Sequence, residues 1–504
     1  MFVRKNKNRS GTISVQVVQK IGRKNKIVKT IGISSHPDEL EEYIKQGNLF
    51  IDQQKGRLSL FPSQQDAIVK EFVATLSNDD LRIVGPKIIL ERIYDFIGYD
   101  KIDPKGYFRH LVTCRITYPG SKLRTIQYMN RHYKIDLSAQ TIYRYLDQLD
   151  DSMKGEVEQI TYQYVKNLLG GKLGVVFYDM TSLYFETESQ DDLRKVGYSK
   201  DGKHQHPQIM LGLLVGVGGI PIAYEVFEGN TSETKTLIPL LDLMVERFNI
   251  ERPIIVADSA LLSKTNLLAL QENEYQYILG GRIKNESELL KQVILSRSIE
   301  ESSPIRLKHP FGELIVSYSS KRAAKDLHNR TKGLKRLEAK IKAGKLTKES
   351  INNRGYNKYL VLEGQTKVLI DYNKFKQDSV WDGLKGYITN TELSVQEIIG
   401  SYQNLWQVEK AFRMSKTDLR FRPIYHYNVN RIKAHLLICF VALSVYRRLE
   451  HLLHVNQLGI SIEKAIKELR EIQQLTYKLP SNGQIIEHLL NLNENQKSLI
   501  NLVS

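Results

Sequence analysis

Ile13, Val15 and Val17 alternate with polar residues, GRKNK (22–26) supplies a turn and IVKTIGI follows, so residues 1–33 read as a hairpin. Between residues 62 and 170 the apolar spacing shifts to three and four, and helices are expected. The texture then changes again. GVVFYDMTSLYFE (174–186) is rich in β-branched and aromatic residues and predicts a strand. IMLGLLVGVGGIPIAYEVFEG (209–229) predicts two more, joined at Gly218-Gly219. Asn230 and Glu233 resemble a capping box that opens a helix through about Phe248. RPIIVAD (252–258) is a short apolar strand of the kind buried in a sheet, and it ends in Asp258. A helix from Ser263 to about Glu272 and the strand YQYILGGRI (275–283) follow, giving the order β-β-β-α-β-α-β.

Residues 284–380 interrupt this order with a strand pair, LKHPFGELIVSYS and YLVLEGQTKVLIDY, around a helix whose apolar face is Leu327, Leu334, Leu337 and Ile341. LKGYITN (384–390) returns to the sheet, and residues 430–504 read as helical, with HLLICFVAL (435–443) buried. SYQNLWQVEKAFRMSK (401–416) predicts one helix that closes the αβ order. Its stripe runs through Tyr402, Leu405, Phe412 and Lys416 at steps of three and four, and Glu409 falls on the same stripe. Trp406 is expected to pack in the core. Among the earlier helices, IDLSAQTIYRYLDQLDD (135–151) offers Ser138 as an N-cap and Ile142, Tyr145, Leu146 and Leu149 as one face. With the preceding GSKLRTIQYMNRHY it has the outline of a helix-turn-helix; an ordinary two-helix packing unit has the same outline.

Charge changes the picture most. Seventy-three Lys and Arg against 56 Asp and Glu give a formal charge of +17 over 504 residues, which favours a polyanionic partner, nucleic acid first. Residues 1–30 hold nine Lys/Arg and no acid, so the hairpin is a solvated ribbon or a phosphate-contacting one. Residues 321–350 hold eleven against three, a local +8. A length of 504 residues implies two to four structural units. The two cysteines, Cys114 and Cys439, exclude a disulfide scaffold and a cysteine-based zinc site. The first residues carry no apolar stretch that could serve as a secretory signal. The longest apolar run, Leu436 to Val445, is too short to span a bilayer, so a soluble cytoplasmic chain is expected.

No phosphate loop, HExxH zinc motif or GxSxG elbow is present, and the glycines at 216, 218 and 219 lead into a strand rather than a helix. What remains is a set of acids placed where charge is costly: Asp179 within a strand, Asp258 at a strand end and Glu409 on an apolar stripe. Carboxylates without histidine or cysteine suit hard cations, Mg²⁺ or Mn²⁺. In a basic protein the matching chemistry is phosphoryl transfer with two metal ions.

The element order resembles the ribonuclease-H-like fold, in which the first and fourth strands are neighbours and would bring Asp179 and Asp258 together. The spacing around Glu409 resembles the Tyr-x2-Arg-x3-Glu-x6-Lys signature of the IS-four superfamily of bacterial insertion-sequence transposases. Tyr402, Glu409 and Lys416 match it, and Leu405 stands where the arginine belongs. YDMTSLYFE, SKDGKHQHPQIMLGLL, EGNTSET and VADSALLSKTN also look like that family's blocks, over roughly residues 174–450. The resemblance implies a DDE transposase that binds double-stranded DNA, both terminal inverted repeats and target, as a homodimer, and cuts and joins it with two Mg²⁺ or Mn²⁺ ions on Asp179, Asp258 and Glu409. Tyr402 and Lys416, with Arg413 and Arg420, would contact phosphates. Trp381 would stack on a flipped base if excision passes through a hairpin. Other readings are a nuclease or resolvase that cuts without joining, and a catalytically inactive DNA-binding regulator. The expected layout is a basic β region (1–61), a helical DNA-binding or dimerisation region (62–170), a catalytic domain in two parts (171–284 and 381–450) around an insertion (285–380), and a helical C-terminal region (451–504).

Overall fold

A computed structural model of the chain describes residues 1–22, 24–54, 64–103, 106–199, 202–248, 252–352, 355–364, 367–479 and 482–503, with the side chains of 64, 65 and 248 excepted. Two compact units result: Met1–Leu81 with Thr476–Glu487, and Arg82–Leu475 with His488–Ser504. The expected turn residue Arg23 and the 61/62 boundary lie outside the described residues.

In the first unit β1 (Phe2–Lys7), β2 (Ile13–Ile21) and β3 (Lys24–Ser34) form an antiparallel sheet, so the expected hairpin has a third strand. FVRKNK escapes the pattern because its charge hides the alternation. α1 (Pro37–Gln54) packs on that sheet and α2 (Gln64–Thr75) follows. The short β4 (Leu81–Ile83) leads to α3 (Gly85–Ile97), α4 (Tyr107–Thr117), α5 (Lys122–Tyr133), α6 (Ala139–Leu146) and α7 (Asp151–Leu168). Ser138 caps α6 as the sequence predicts, its hydroxyl accepting from the Thr141 N–H at 3.1 Å.

The sheet that organises the second unit begins with β5 (Val175–Tyr184), β6 (Gln208–Gly216) and β7 (Pro221–Glu228). After α8 (Leu237–Phe248) come β8 (Ile254–Ala257), α9 (Lys264–Glu272) and β9 (Tyr277–Gly281). Next are α10 (Glu288–Ser296), β10 (Ile305–His309), β11 (Gly312–Tyr318) and the long basic α11 (Ser320–Lys342). A separate hairpin, β12 (Leu360–Glu363) with β13 (Lys367–Ile370), and α12 (Tyr372–Gln377) precede β14 (Leu384–Thr389). The sheet order is β10-β11-β14-β9-β8-β5-β6-β7. Its β7-β6-β5-β8-β9 half is the ribonuclease-H-like arrangement: β5, β8 and β9 are parallel neighbours and β6 alone runs against them. β10 and β11 extend this sheet through β14, so LKHPFGELIVSYS, expected as one member of a strand pair that interrupts it, is a hairpin within it. Pattern alone could not assign them, because a half-buried hairpin alternates whichever sheet it joins.

The expected single helix over 401–416 is two, α13 (Val395–Gln403) and α14 (Trp406–Thr417), separated at Asn404-Leu405. Beyond them lie α15 (Val429–Val455), α16 (Ile462–Glu471), α17 (Glu494–Asn501) and the strands β15 (Gln473–Lys478) and β16 (Ile485–Leu489), which correct the all-helical reading of 430–504. α15 is buried along most of its length and packs on β7 and on α3, α4, α6 and α7. Its Arg447 donates to the Gly218 and Gly219 carbonyls at 2.6 and 3.0 Å, fixing the β6–β7 turn, where both glycines have positive φ. Among the described residues no helix is long and apolar enough to cross a membrane.

Candidate active site

The parallel pairing of β5 with β8 runs to Tyr178↔Ala257. One residue further along stand Asp179, within β5, and Asp258, just past the end of β8, where neighbouring strands run about 4.8 Å apart. Both are half-buried. Each holds one oxygen against the main chain: the Met180 N–H donates to Asp179 Oδ1 and the Ala260 N–H to Asp258 Oδ1, both at 2.7 Å. Asp258 sits where it does because it caps the turn Ser259–Leu261 that leaves β8, a position aspartate favours.

Glu409 lies in the first turn of α14, which packs on β5 and β6. It is exposed, contrary to its expected place on the buried stripe. The break at Asn404-Leu405 is the reason, because 402 and 409 no longer share one helix. α14 buries Val408, Ala411, Phe412 and Met414, and Glu409 borders that face. The same break turns Trp406 outward to 51% exposure, so it is not a core residue, and Lys410 lies over its ring.

Tyr402, at the end of α13, joins these elements. Its hydroxyl lies over Gly280 of β9 so closely that a Cβ there would approach it to 2.5 Å and the Ser259 nitrogen to 3.0 Å. Its ring packs edge-on against Tyr387 at 5.0 Å, and the Lys385 ammonium stands 4.1 Å from its centroid. Burial raises the hydroxyl's pKa, and Asp258 and, more weakly, Glu409 push it the same way. Tyr402 is therefore within electrostatic reach of both carboxylates. Burial first, then neighbouring Arg322, lowers Lys385 to about 8, with Glu409 pulling the other way. A cavity of about 650 Å³ opens here, with Ser259, Gly280, Arg322, Trp381, Lys385 and Tyr402 among its walls.

Asp179 thus lies beside Asp258, and Tyr402 and Trp381 line one cavity. Among the described residues no group of three His, Cys, Asp or Glu is close enough to hold a metal ion, so Glu409 does not close a cage with the aspartates in this arrangement. Arg413 and Arg420 do not share Tyr402's cavity. Arg413 lines another hollow with Lys410, Asp418, Glu450 and Glu463, and Arg420 lines a third. Lys416 is half-buried in the last turn of α14. Leu405 is buried, at 6% exposure, and offers no cation. Sequence reasoning missed Lys385 and Arg322. A cation two residues into LKGYITN carries no signal of its own until β14 is known to adjoin β9.

A family model described as "Transposase DDE domain" matches residues 170–445, just over half of the chain. No curated protein matches. Among solved structures, a piggyBac transposase synaptic complex with hairpin DNA is similar at 10% identity and a TM-score of 0.37, over 76% of each chain. The Mos1 mariner paired-end complex with Mn is similar at 16% identity and a TM-score of 0.15, over 35% of this chain and 59% of that one. Likeness at that level adds no weight beyond the sheet order itself, whereas the family match spans β5 through most of α15 and takes in all three acids. The chain belongs to the DDE transposase family.

Proposed function

We propose that this chain is the transposase of a bacterial insertion sequence of the IS-four superfamily, cutting one strand at the element's ends and joining the 3′-hydroxyl to target DNA. The observation that carries the reading is the placement of Asp179, within β5, beside Asp258, just past the end of the parallel β8, with Glu409 on the helix packed against β5 and β6. The donor set is all oxygen, and the two half-buried aspartates fit a hard divalent cation; Asp179 and Asp258, with Glu409 brought nearer, would hold Mg²⁺ or Mn²⁺. When bound, such ions activate the attacking hydroxyl and stabilise the leaving oxygen.

The chain's own residues position the DNA. Tyr402 presents its hydroxyl at the carboxylates and Lys385 backs its ring, so a phosphate at the cavity mouth meets a donor and a cation together. Trp381, half-buried on the same wall, offers a stacking face for an unpaired base. Lys416, Arg413 and Arg420 extend the phosphate track away from the scissile bond. Double-stranded terminal repeats and target are the partners, held by a homodimer in the cytoplasm.

The test is strand transfer with donor-end and target DNA in Mg²⁺. Asp179→Asn, Asp258→Asn and Glu409→Gln should each lose about a thousandfold or more in cleavage, the scale of several kcal/mol of charge stabilisation, while DNA binding persists. Wild-type rates in any one variant would remove that acid from the site, and cleavage without joined product would make the protein a nuclease.

A further inference from the structure

A second cavity, of about 530 Å³, lies between the α4–α5 turn and the segment that follows α14. Among the described residues its walls include five Lys or Arg and two His, and no Asp or Glu. Two of those cations are nearly buried: Arg115, in the last turn of α4, is 7% exposed, and Lys122, the first residue of α5, is 5% exposed. Neither makes an ion pair or side-chain hydrogen bond among the described residues. Neighbouring carboxylates are engaged elsewhere: Asp147 accepts from two Arg431 nitrogens at 2.7 and 2.8 Å, and Glu91 faces His110 at 3.0 Å.

Charge buried without a partner is expensive, and a fold normally neutralises or replaces it. Here it is concentrated. Burial and Arg115 push Lys122 down to about 7, and burial with Lys122 and Arg115 holds His426 at about 4. The Ser121 hydroxyl caps α5, whose first amides open toward the same region. Exposed Arg124 and Arg420 stand among the walls. An anion entering would meet two nearly buried cations, two exposed ones and a helix N-terminus.

We infer that this cavity holds a phosphate group of the DNA backbone, gripped by Arg115 and Lys122 with Arg124 and Arg420 at the rim. It is separate from the Tyr402 cavity, so it fixes DNA flanking the scissile position rather than the reacting phosphate. Only the source of the phosphate rests on the transposase reading; the cation cluster does not.

The test uses the full chain and two variants, Lys122→Met and the rim pair Arg124→Ala with Arg420→Ala. Duplex affinity is measured against salt, and thermal unfolding with and without inorganic pyrophosphate. Each variant should bind DNA about tenfold more weakly, with a log–log salt slope shallower by roughly one for each phosphate it no longer neutralises. Lys122→Met should itself unfold at a higher temperature than wild type, which guards against misfolding as the cause. Weaker DNA binding in both variants supports the inference whether or not the small anion binds. Unchanged DNA binding with a lost pyrophosphate response assigns the cavity to a free phosphoryl ligand and overturns the DNA assignment. No change in either measurement overturns the site. If wild type binds no DNA, the transposase reading falls, and the pyrophosphate response alone decides the cavity.

Discussion

Lys122 and Glu409 show how far a residue's environment departs from what its neighbours in sequence suggest. Glu409, expected among apolar residues, is exposed; Lys122, in the polar run GSKLR, is buried. Asp179 and Asp258 are legible because strand residues flank them and a carboxylate there needs a reason. Lys122 and Lys385 are not, because their burial depends on elements distant in the chain: the segment after α14 for one, β9 and α13 for the other. The burial of Lys122 has a measurable consequence. Its pKa falls from an ordinary 10.5 to about 7. Between those values the unfolded chain keeps the proton and the folded chain has released it, so this group makes stability rise with pH from about 7 to 10.5. Below 7 both states are protonated and its cost is constant. The excess thermal stability of Lys122→Met over wild type should therefore be largest near pH ~6 and shrink steadily by pH ~9. A constant difference across melts spanning that range would mean that the ammonium is not desolvated.

At the scale of elements, most of the sheet is readable because β6 is buried on every residue and β8 nearly so, which leaves continuous apolar runs. The helix carrying Glu409 is legible, but its break is not. Asn404 and Leu405 are compatible with a continuing helix, and what separates α13 from α14 is the different packing of each: α13 on β8, β9 and β14, α14 on β5 and β6. That division lets Tyr402 descend onto β9 at Gly280. Gly280→Ala should therefore push the ring out of place, at a cost of about 1–3 kcal/mol from overpacking, and cut strand transfer. The shortest approach is to the hydroxyl, so adding Tyr402→Phe should restore part of the stability in denaturant unfolding and none of the activity. Equal losses in the single and double variants would show that the strand, not the tyrosine, resists the extra carbon.

For the whole molecule, the net charge of +17 points to a polyanion before any motif does, but composition does not say where the charge acts. α11 gathers much of it. Its buried residues are Arg330, Gly333 and Leu337, and Arg330 is tied to Asp382 at 2.6 Å, so the helix is anchored along one side. Leu327, expected on the apolar face, is 52% exposed; that face begins a turn later than the spacing suggests. Lys332, Lys335, Arg336 and Lys340 are exposed and make no ion pair among the described residues. A cationic row that the fold does not use internally is available for counterion release on DNA. Replacing those four by glutamine should leave thermal stability within about 0.5 kcal/mol of wild type, as surface changes do. The slope of log affinity against log salt should flatten by up to about 3.6, at roughly 0.9 per phosphate neutralised, if all four meet the duplex. At high salt the two proteins should converge, since what the variant loses is the salt-sensitive part of binding. A variant with the wild-type slope would place α11 away from the DNA and leave its charge as a solubilising surface.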